Sequence, residues 1–483
     1  MFFEEEARRM KSREKNNQSS RRTFIKTAGT TIVASTIVPR YILGGPNYTP
    51  PSDKLNIAIV GAGGQGMTNL KAILNNDDVQ IVAIADTALE ADYSRSYHKV
   101  LGGRKPGYEV ITDYYKKKAK TKDYPECKVY VDFRDLLDKE QHIDAVCVST
   151  PDHTHYIIGK AVLEHGKHIY LEKPLCRTIY ETRKLTELAR QAGVVTQMGT
   201  QGHAGEGIRL TVEWLRAGAI GPVREIHSWS DGASRVGAFD GPPKEKPPIP
   251  EGLDWNLWLG PAKYRPYHPD YTPSSWRTWW DFGTGKMPDM GLHHMDPAFW
   301  ALDLGYPEWT QSRAAWGDKD KRPFAAMHYF KFPAQGDRPE VYLTFYSGLM
   351  PPRPEELEVG RDFTGYGNGI LFIGDKGKMM CDGWGGAPRL IPESRMKDYE
   401  RPPKTIKRVN GGHHRDWIDA IKEGRQAGSH FDYAGPFTEA ILMGIVALRT
   451  EERLYWDGPN MKATNFADAE QYIIPEYYNG WKL

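Results

Sequence analysis

KLNIAIVGAGGQGMTNLKAILNNDDVQIVAIAD, residues 54–86, reads as strand, glycine turn, helix, strand and a closing carboxylate. Residues 55–60 are a short apolar run of the kind shown by a parallel strand buried on both faces. Gly61, Gly63 and Gly66 fill the G-x-G-x-x-G spacing. The first glycine permits the bend, and the second lets backbone approach a pyrophosphate. The third lets the helix pack closely on the strand, with the helix N-terminus facing the anion. Residues 79–85 form the second buried strand. Asp86 follows it, 20 residues after Gly66, where a carboxylate accepts hydrogen bonds from the adenosine ribose. Gly64 and Gln65 complete the turn. Together these features predict an NAD site, with NAD favoured over NADP because Asp86 repels a 2′-phosphate.

At 483 residues the chain exceeds one usual core, so more than one domain is expected. The expected division is 1–52, 53–201 and 202–483. Apolar residues make up 40% and charged residues 26%, and the formal net charge is +2, which gives no case for nucleic acid or an anionic membrane as partner. Cys127, Cys147, Cys176 and Cys381 show neither close pairing nor metal spacing, which argues against a disulfide framework.

Residues 1–52 are expected to lie outside the fold. Ser20-Arg21-Arg22-Thr23-Phe24-Ile25-Lys26 resembles a twin-arginine export signal. The apolar segment after it, 27–38, is too short to span a bilayer as a helix, so no membrane insertion of the mature form is expected. The expectation is periplasmic export of a folded, cofactor-loaded protein.

Beyond Asp86, residues 101–128 are Gly-, Lys- and Tyr-rich and read as an insertion before the next strand. Residues 133–138 read as a short helix and 143–149 as a buried strand. That strand ends in Thr150-Pro151-Asp152-His153-Thr154-His155, at the carboxyl edge where open α/β sheets bind ligands. Helix 154–165 and strand 168–171 follow, ending in Glu172-Lys173-Pro174. Helix 180–191 and strand 194–198 finish a doubly wound sheet, and Gln201 lies just past its edge. Thr150, Pro151, Asp152, His155, Glu172, Lys173 and Gln201 are therefore expected to line the cofactor site with the glycine turn.

The order GAGGQG, TPDHTH, EKP resembles the glucose–fructose oxidoreductase, inositol dehydrogenase and rhizopine-catabolism (Gfo/Idh/MocA) family of NAD(P)-dependent sugar oxidoreductases. The resemblance implies an N-terminal Rossmann domain and a C-terminal α+β domain with a largely antiparallel sheet. It also implies that Lys173 points at the nicotinamide and the substrate hydroxyl, and that the protein is a homo-oligomer acting on a sugar or glycoside.

In the second half, 207–217 has helical spacing, 223–231 alternates like a strand, and the proline-rich 241–252 is a loop. Residues 255–300 hold six of the 14 tryptophans. Trp276 and Trp280, with Trp279 and Arg277 between them, form a candidate saccharide platform or part of an aromatic core. Asp289 and His293 are four apart and would share a helix face. The resemblance implies a catalytic Asp-x-x-x-His pair beside the lysine, with His293 as general base and Asp289 orienting substrate or imidazole. Histidine suits the role because its ordinary pKa lies near neutrality. His294 reads as a packing residue, and no metal is expected. His413 is a fallback base or a packing residue, and Tyr346 is a second fallback.

The reading is an NAD-dependent oxidoreductase moving hydride between a sugar carbon and nicotinamide. Its alternatives are a redox-neutral NAD-dependent glycosidase and a non-catalytic sugar-binding protein.

Overall fold

The computed structural model describes residues 53–483 apart from 95, 119–125, 231–240, 274, 316–318 and 364–366. The proposed export signal lies outside the described residues. The 55–60 run forms strand β1 (Leu55–Val60), the centre of a six-stranded parallel sheet. It pairs on one side with β2 (Val79–Ala85), which, beyond a two-strand ribbon of β3 (Ala91–Asp92) and β4 (Leu101–Gly102), pairs in turn with β5 (Lys128–Tyr130). β6 (Ala145–Val148), β7 (His168–Leu171) and β8 (Thr196–Met198) complete the order β5-β2-β1-β6-β7-β8. Alternation explains the two-sided burial. Ala58, Val60, Val146 and Val148 face one core, while Ile57, Ile59, Ala145 and Cys147 face the other.

Helices α1 (Gln65–Leu74), α2 (Arg104–Lys118), α3 (Phe133–Lys139), α4 (His155–Glu164) and α5 (Ile179–Ala192) cover the sheet. The expected insertion over 101–128 is instead α2, the crossover helix after β2. Pro106 sits in its first turn, where its missing N–H costs nothing. Gly107 lets the helix lie on β2, since a Cβ there would sit 2.4 Å from Ile84. α5 carries a full capping box, Thr178 with Glu181, and ends on Gly193 in the left-handed conformation.

After α6 (Glu206–Arg216) comes a nine-stranded, mostly antiparallel sheet. Its central strands are β9 (Val223–Ser230), β10 (Trp309–Ala315), β11 (Ala325–Phe332), β12 (Val341–Ser347) and β13 (Asn368–Gly374). Its edges are β14 (Gly377–Asp382), β15 (Arg389–Ile391), β16 (Leu454–Asp457) and β17 (Lys462–Ala463). β9 pairs in parallel with β12 and antiparallel with β13.

Residues 54–483 form one compact unit, and the expected boundary at 201/202 falls within it. The Phe431–Thr450 helix runs between the sheets, with Phe431, Phe437 and Ile441 in the same core as Val146 and Phe345. The Gly412–Glu423 helix returns to the first sheet. There Trp417 and Ile418 pack with Ile57 and Ile81, and Arg415 grips Asp78 at 2.7 and 3.0 Å. The tail closes over both halves: Tyr477 donates to Glu181 at 2.6 Å and Trp481 stacks on Phe133. All four cysteines are buried and free.

Candidate active site

A cavity of about 770 Å³ opens along the carboxyl edge of the parallel sheet, from Asp86 at one end to Lys173 and His293 at the other. That is the size class of small-molecule and cofactor sites. Gly61, Gly63, Gly64, Gln65, Asp86, Thr150, Pro151, Glu172, Lys173 and Gln201 all line it.

Each glycine has its own reason. Gly61 has φ +86°, which a side chain disfavours. A Cβ on Gly66 would sit 2.1 Å from the Gly61 carbonyl oxygen, so α1 approaches the turn as closely as the spacing predicts. Gly66 itself stays behind the lining. At Gly63 the neighbour is a side chain of this protein, because a Cβ would lie 2.1 Å from the Tyr93 hydroxyl.

Asp86 accepts from the Ala62 N–H in the glycine turn and from the Ala88 N–H, both at 2.8 Å. Burial pushes its carboxyl up against the pull of those two bonds. The nearby guanidinium of Arg104 is committed to the carbonyls of Asp86, Thr87 and Gly252.

At the other end, Lys173 Nζ donates to the Asp289 carboxylate at 2.5 Å and to its backbone oxygen at 2.8 Å. Arg277 stands 3.3 Å from the same carboxylate and 2.8 Å from Asp152. Burial opposes ionisation of Asp289, but Arg277 and Lys173 outweigh it and hold the carboxyl well below its usual range. The Lys173–Pro174 peptide is cis. Glu172 accepts from Asn69 and Gln201, each at 2.9 Å, and burial pushes its carboxyl up.

Asp289 and His293 reach the cavity through a π-helical turn, Met287–Gly291, followed by Leu292–His294, rather than through a regular α-helix. Asp289 directs its carboxylate to Lys173 and Arg277, whereas the expectation had it orienting substrate or the imidazole. The His293 ring packs 4.3 Å from the Trp384 ring, with Nδ1 buried and unpartnered. Burial, then the charge of Lys173, drives its pKa well below the ordinary value and keeps the ring neutral.

Several expected lining residues lie elsewhere. Asp152 is buried behind the wall, held by Arg277 and by Thr284 at 2.8 Å. The His155 ring spans the carbonyls of Pro174 (2.7 Å) and Thr150 (2.9 Å), fixing both loops without touching the cavity. Trp280 turns into the core against Arg449, because the Trp276–Thr278 turn leaves only Trp276 and Arg277 on the cavity side. His413 is locked to the Met198 carbonyl at 2.7 Å, and Tyr346 pairs with His227; neither lines the cavity.

The structure adds Tyr93, Ser96, Tyr97 and His98 from the turn after β3, and Trp258, Asn368 and Trp384 from the second half. Trp384 sits in Asp382-Gly383-Trp384-Gly385-Gly386, where Asp382 accepts from the N–H groups of Trp384 and Gly386. A tryptophan between glycines in an aspartate turn is the sequence signal that marks it. Among the described residues, no group of His, Cys, Asp and Glu side chains converges as a metal site.

Residues 55–200 match the model of the Gfo/Idh/MocA oxidoreductase family's NAD-binding Rossmann fold, and 238–307 match its C-terminal α/β domain. The uncharacterized oxidoreductase YdgJ of Escherichia coli is 31% identical over 29% of this chain and 40% of its own length. A glycosyl hydrolase family 109 protein of Shewanella pealeana is 25% identical over 42% of this chain and 44% of its own length. The chain thus spans under half the length of these curated relatives. Among solved structures, the Bordetella pertussis WlbA dehydrogenase, in complex with NADH and UDP-GlcNAcA, shares the fold with a TM-score of 0.54 at 15% identity. The match covers 84% of this chain and 99% of that one. A levoglucosan dehydrogenase in complex with NADH and levoglucosan superposes with a TM-score of 0.51 at 16% identity, over 83% and 98% of the two chains. The glycine turn with Asp86 fits the dinucleotide that the matched domain binds, and residues 55–200 and 238–307 carry the NAD-binding and C-terminal α/β domains of the Gfo/Idh/MocA oxidoreductase family.

Proposed function

We propose that this protein oxidises a hydroxyl of a sugar or glycoside with NAD. The observation that carries the reading is the meeting of Lys173, Asp289 and His293 at one end of a cavity whose other end is the glycine turn and Asp86. When bound, NAD supplies the hydride acceptor. An ammonium has three N–H donors, and Asp289 takes two of those on Lys173, which leaves one for a substrate oxygen. The neutral His293 ring offers a lone pair for the hydroxyl proton as the carbon gives up its hydride. Trp276 and Trp384 give apolar faces for the C–H side of a pyranose. The proposal extends to a periplasmic location and a homo-oligomeric state, on the export motif and the family resemblance.

A second reading, redox-neutral glycoside cleavage, is favoured by the glycosyl hydrolase family 109 relatives. In that cycle oxidation acidifies the neighbouring C–H, elimination expels the aglycone, and water addition and reduction restore the sugar. Incubation with aryl glycosides in deuterated water without an acceptor separates the two. Stoichiometric NADH with intact glycoside supports the dehydrogenase. Aglycone release, with deuterium beside the oxidised carbon and no net NADH, supports the glycosidase.

A further inference from the structure

The ribbon of β3 and β4 plays no part in the chemistry above, yet it lies against the glycine turn. Its root is fixed. Ala91 pairs with Gly102, and Tyr93 N–H donates to the Val100 carbonyl at 2.9 Å. Ser96 donates to the Tyr93 carbonyl through both its N–H and its hydroxyl, and that hydroxyl accepts from the His98 N–H at 3.2 Å. A Cβ on Gly102 would sit 2.6 Å from Gly63 Cα, so the ribbon packs directly on the turn.

Two side chains of the ribbon lie over the turn and line the cavity. A Cβ on Gly63 would be 2.1 Å from the Tyr93 hydroxyl, and one on Gly64 would be 3.1 Å from the His98 ring and 3.4 Å from the Tyr93 ring. Among the described residues, neither that hydroxyl nor the His98 ring is tied to a protein partner by a hydrogen bond. Across from them α1 begins at Gln65, with no side chain capping its first N–H groups and no carboxylate in its first turn. A dinucleotide bound to a Rossmann domain lays its diphosphate at this helix end. The diphosphate brings two negative charges, and no cation stands ready for them. Among the described residues, Lys173 and Arg277 are the only lysine and arginine lining the cavity, and both are engaged by Asp289 at its other end. Neutral N–H and O–H donors are left to hold it.

Resting on the nucleotide part of the reading above, we propose that Tyr93 and His98 bind the diphosphate of NAD from the side opposite the α1 N-terminus. The Tyr93 hydroxyl and the one N–H of a neutral His98 imidazole donate to phosphate oxygens. The β3–β4 ribbon and the glycine turn are then the two jaws of one clasp, and the ribbon's tight seat on Gly63 and Gly64 sets the gap between them.

The test measures the affinities of NAD and of ADP-ribose by calorimetry for wild type, Tyr93→Phe and His98→Ala. ADP-ribose keeps the diphosphate and lacks the nicotinamide. Tyr93→Phe keeps the ring on Gly64 and removes only the hydroxyl. Each substitution should weaken both ligands about tenfold, the loss expected when a hydrogen bond to a charged oxygen is removed. The Tm of the unliganded variants should stay within about 2 °C of wild type. Weakened NAD with unmoved ADP-ribose would assign the two side chains to the nicotinamide and overturn the proposal. Unchanged affinity for both ligands in both variants would refute the clasp and leave the NAD reading standing. A wild type that binds neither ligand would refute the nucleotide reading and this role together.

Discussion

Lys173 and Asp289, 116 residues apart, share two hydrogen bonds, one to the carboxylate at 2.5 Å and one to the backbone oxygen at 2.8 Å. The pair joins the end of β7 to the π-helical turn, and so ties Lys173 of the Rossmann half to the turn that leads into His293 of the other half. Lys173→Ala should lower kcat by about 10² to 10⁴ with NAD affinity unchanged, since the lysine acts on the proton and not on the dinucleotide. Asp289→Asn keeps the carbonyl contact and should cost about tenfold. Steady-state kinetics with NAD titrations decide this; equal losses in both variants would mean that Asp289 itself contacts the reacting atoms.

The pH profile follows from the burial of His293. Its folded pKa lies well below the ordinary histidine value, so the neutral, proton-accepting form is retained as pH falls through about 6.5. kcat/KM should therefore hold level from about pH 8 down to about pH 6. An acid limb with its midpoint near 6.5 in wild type would show a ring that titrates normally.

Cofactor preference tests Asp86. Arg104 gives Nη1 to three backbone carbonyls and does not line the cavity, whereas Asp86 does. NAD should be preferred over NADP by at least about tenfold, the factor given by roughly 1.4 kcal/mol of repulsion. Asp86→Ala should remove most of the preference, and calorimetry that finds NADP bound more tightly to wild type would contradict the assignment.

Much of this site is legible in the sequence because backbone demands betray themselves. Gly61 and Gly66 have to be glycine for a left-handed φ and a close helix approach, and Lys173 sits where an apolar strand stops. What stays hidden depends on rotation and on distant pairing. Nothing in the run Trp276–Trp280 says that one tryptophan faces the cavity and the last faces the core. Trp384 joins the site only because β13 and β14 pair beside β9. α2 is masked by Pro106 and Gly107, which read as breakers although they serve its first turn and its packing on β2. The i, i+4 spacing of Asp289 and His293 holds no sign of a π turn.

Export is a separate proposal. Arg21→Lys with Arg22→Lys should leave active protein in the cytoplasm, as judged by cell fractionation. Periplasmic recovery of the doubly substituted protein, or cytoplasmic recovery of the wild type, would remove the twin-arginine reading.

Hydride transfer itself is most directly read by isotope. Sugars and aryl glycosides deuterated at their carbinol carbons would be incubated with the NAD-loaded protein, and the nucleotide examined by mass spectrometry. The account predicts deuterium in the nicotinamide ring with at least one sugar and its absence in His293→Ala. A nucleotide that stays bound and returns unlabelled from every sugar, with no aglycone released from any glycoside, would contradict it.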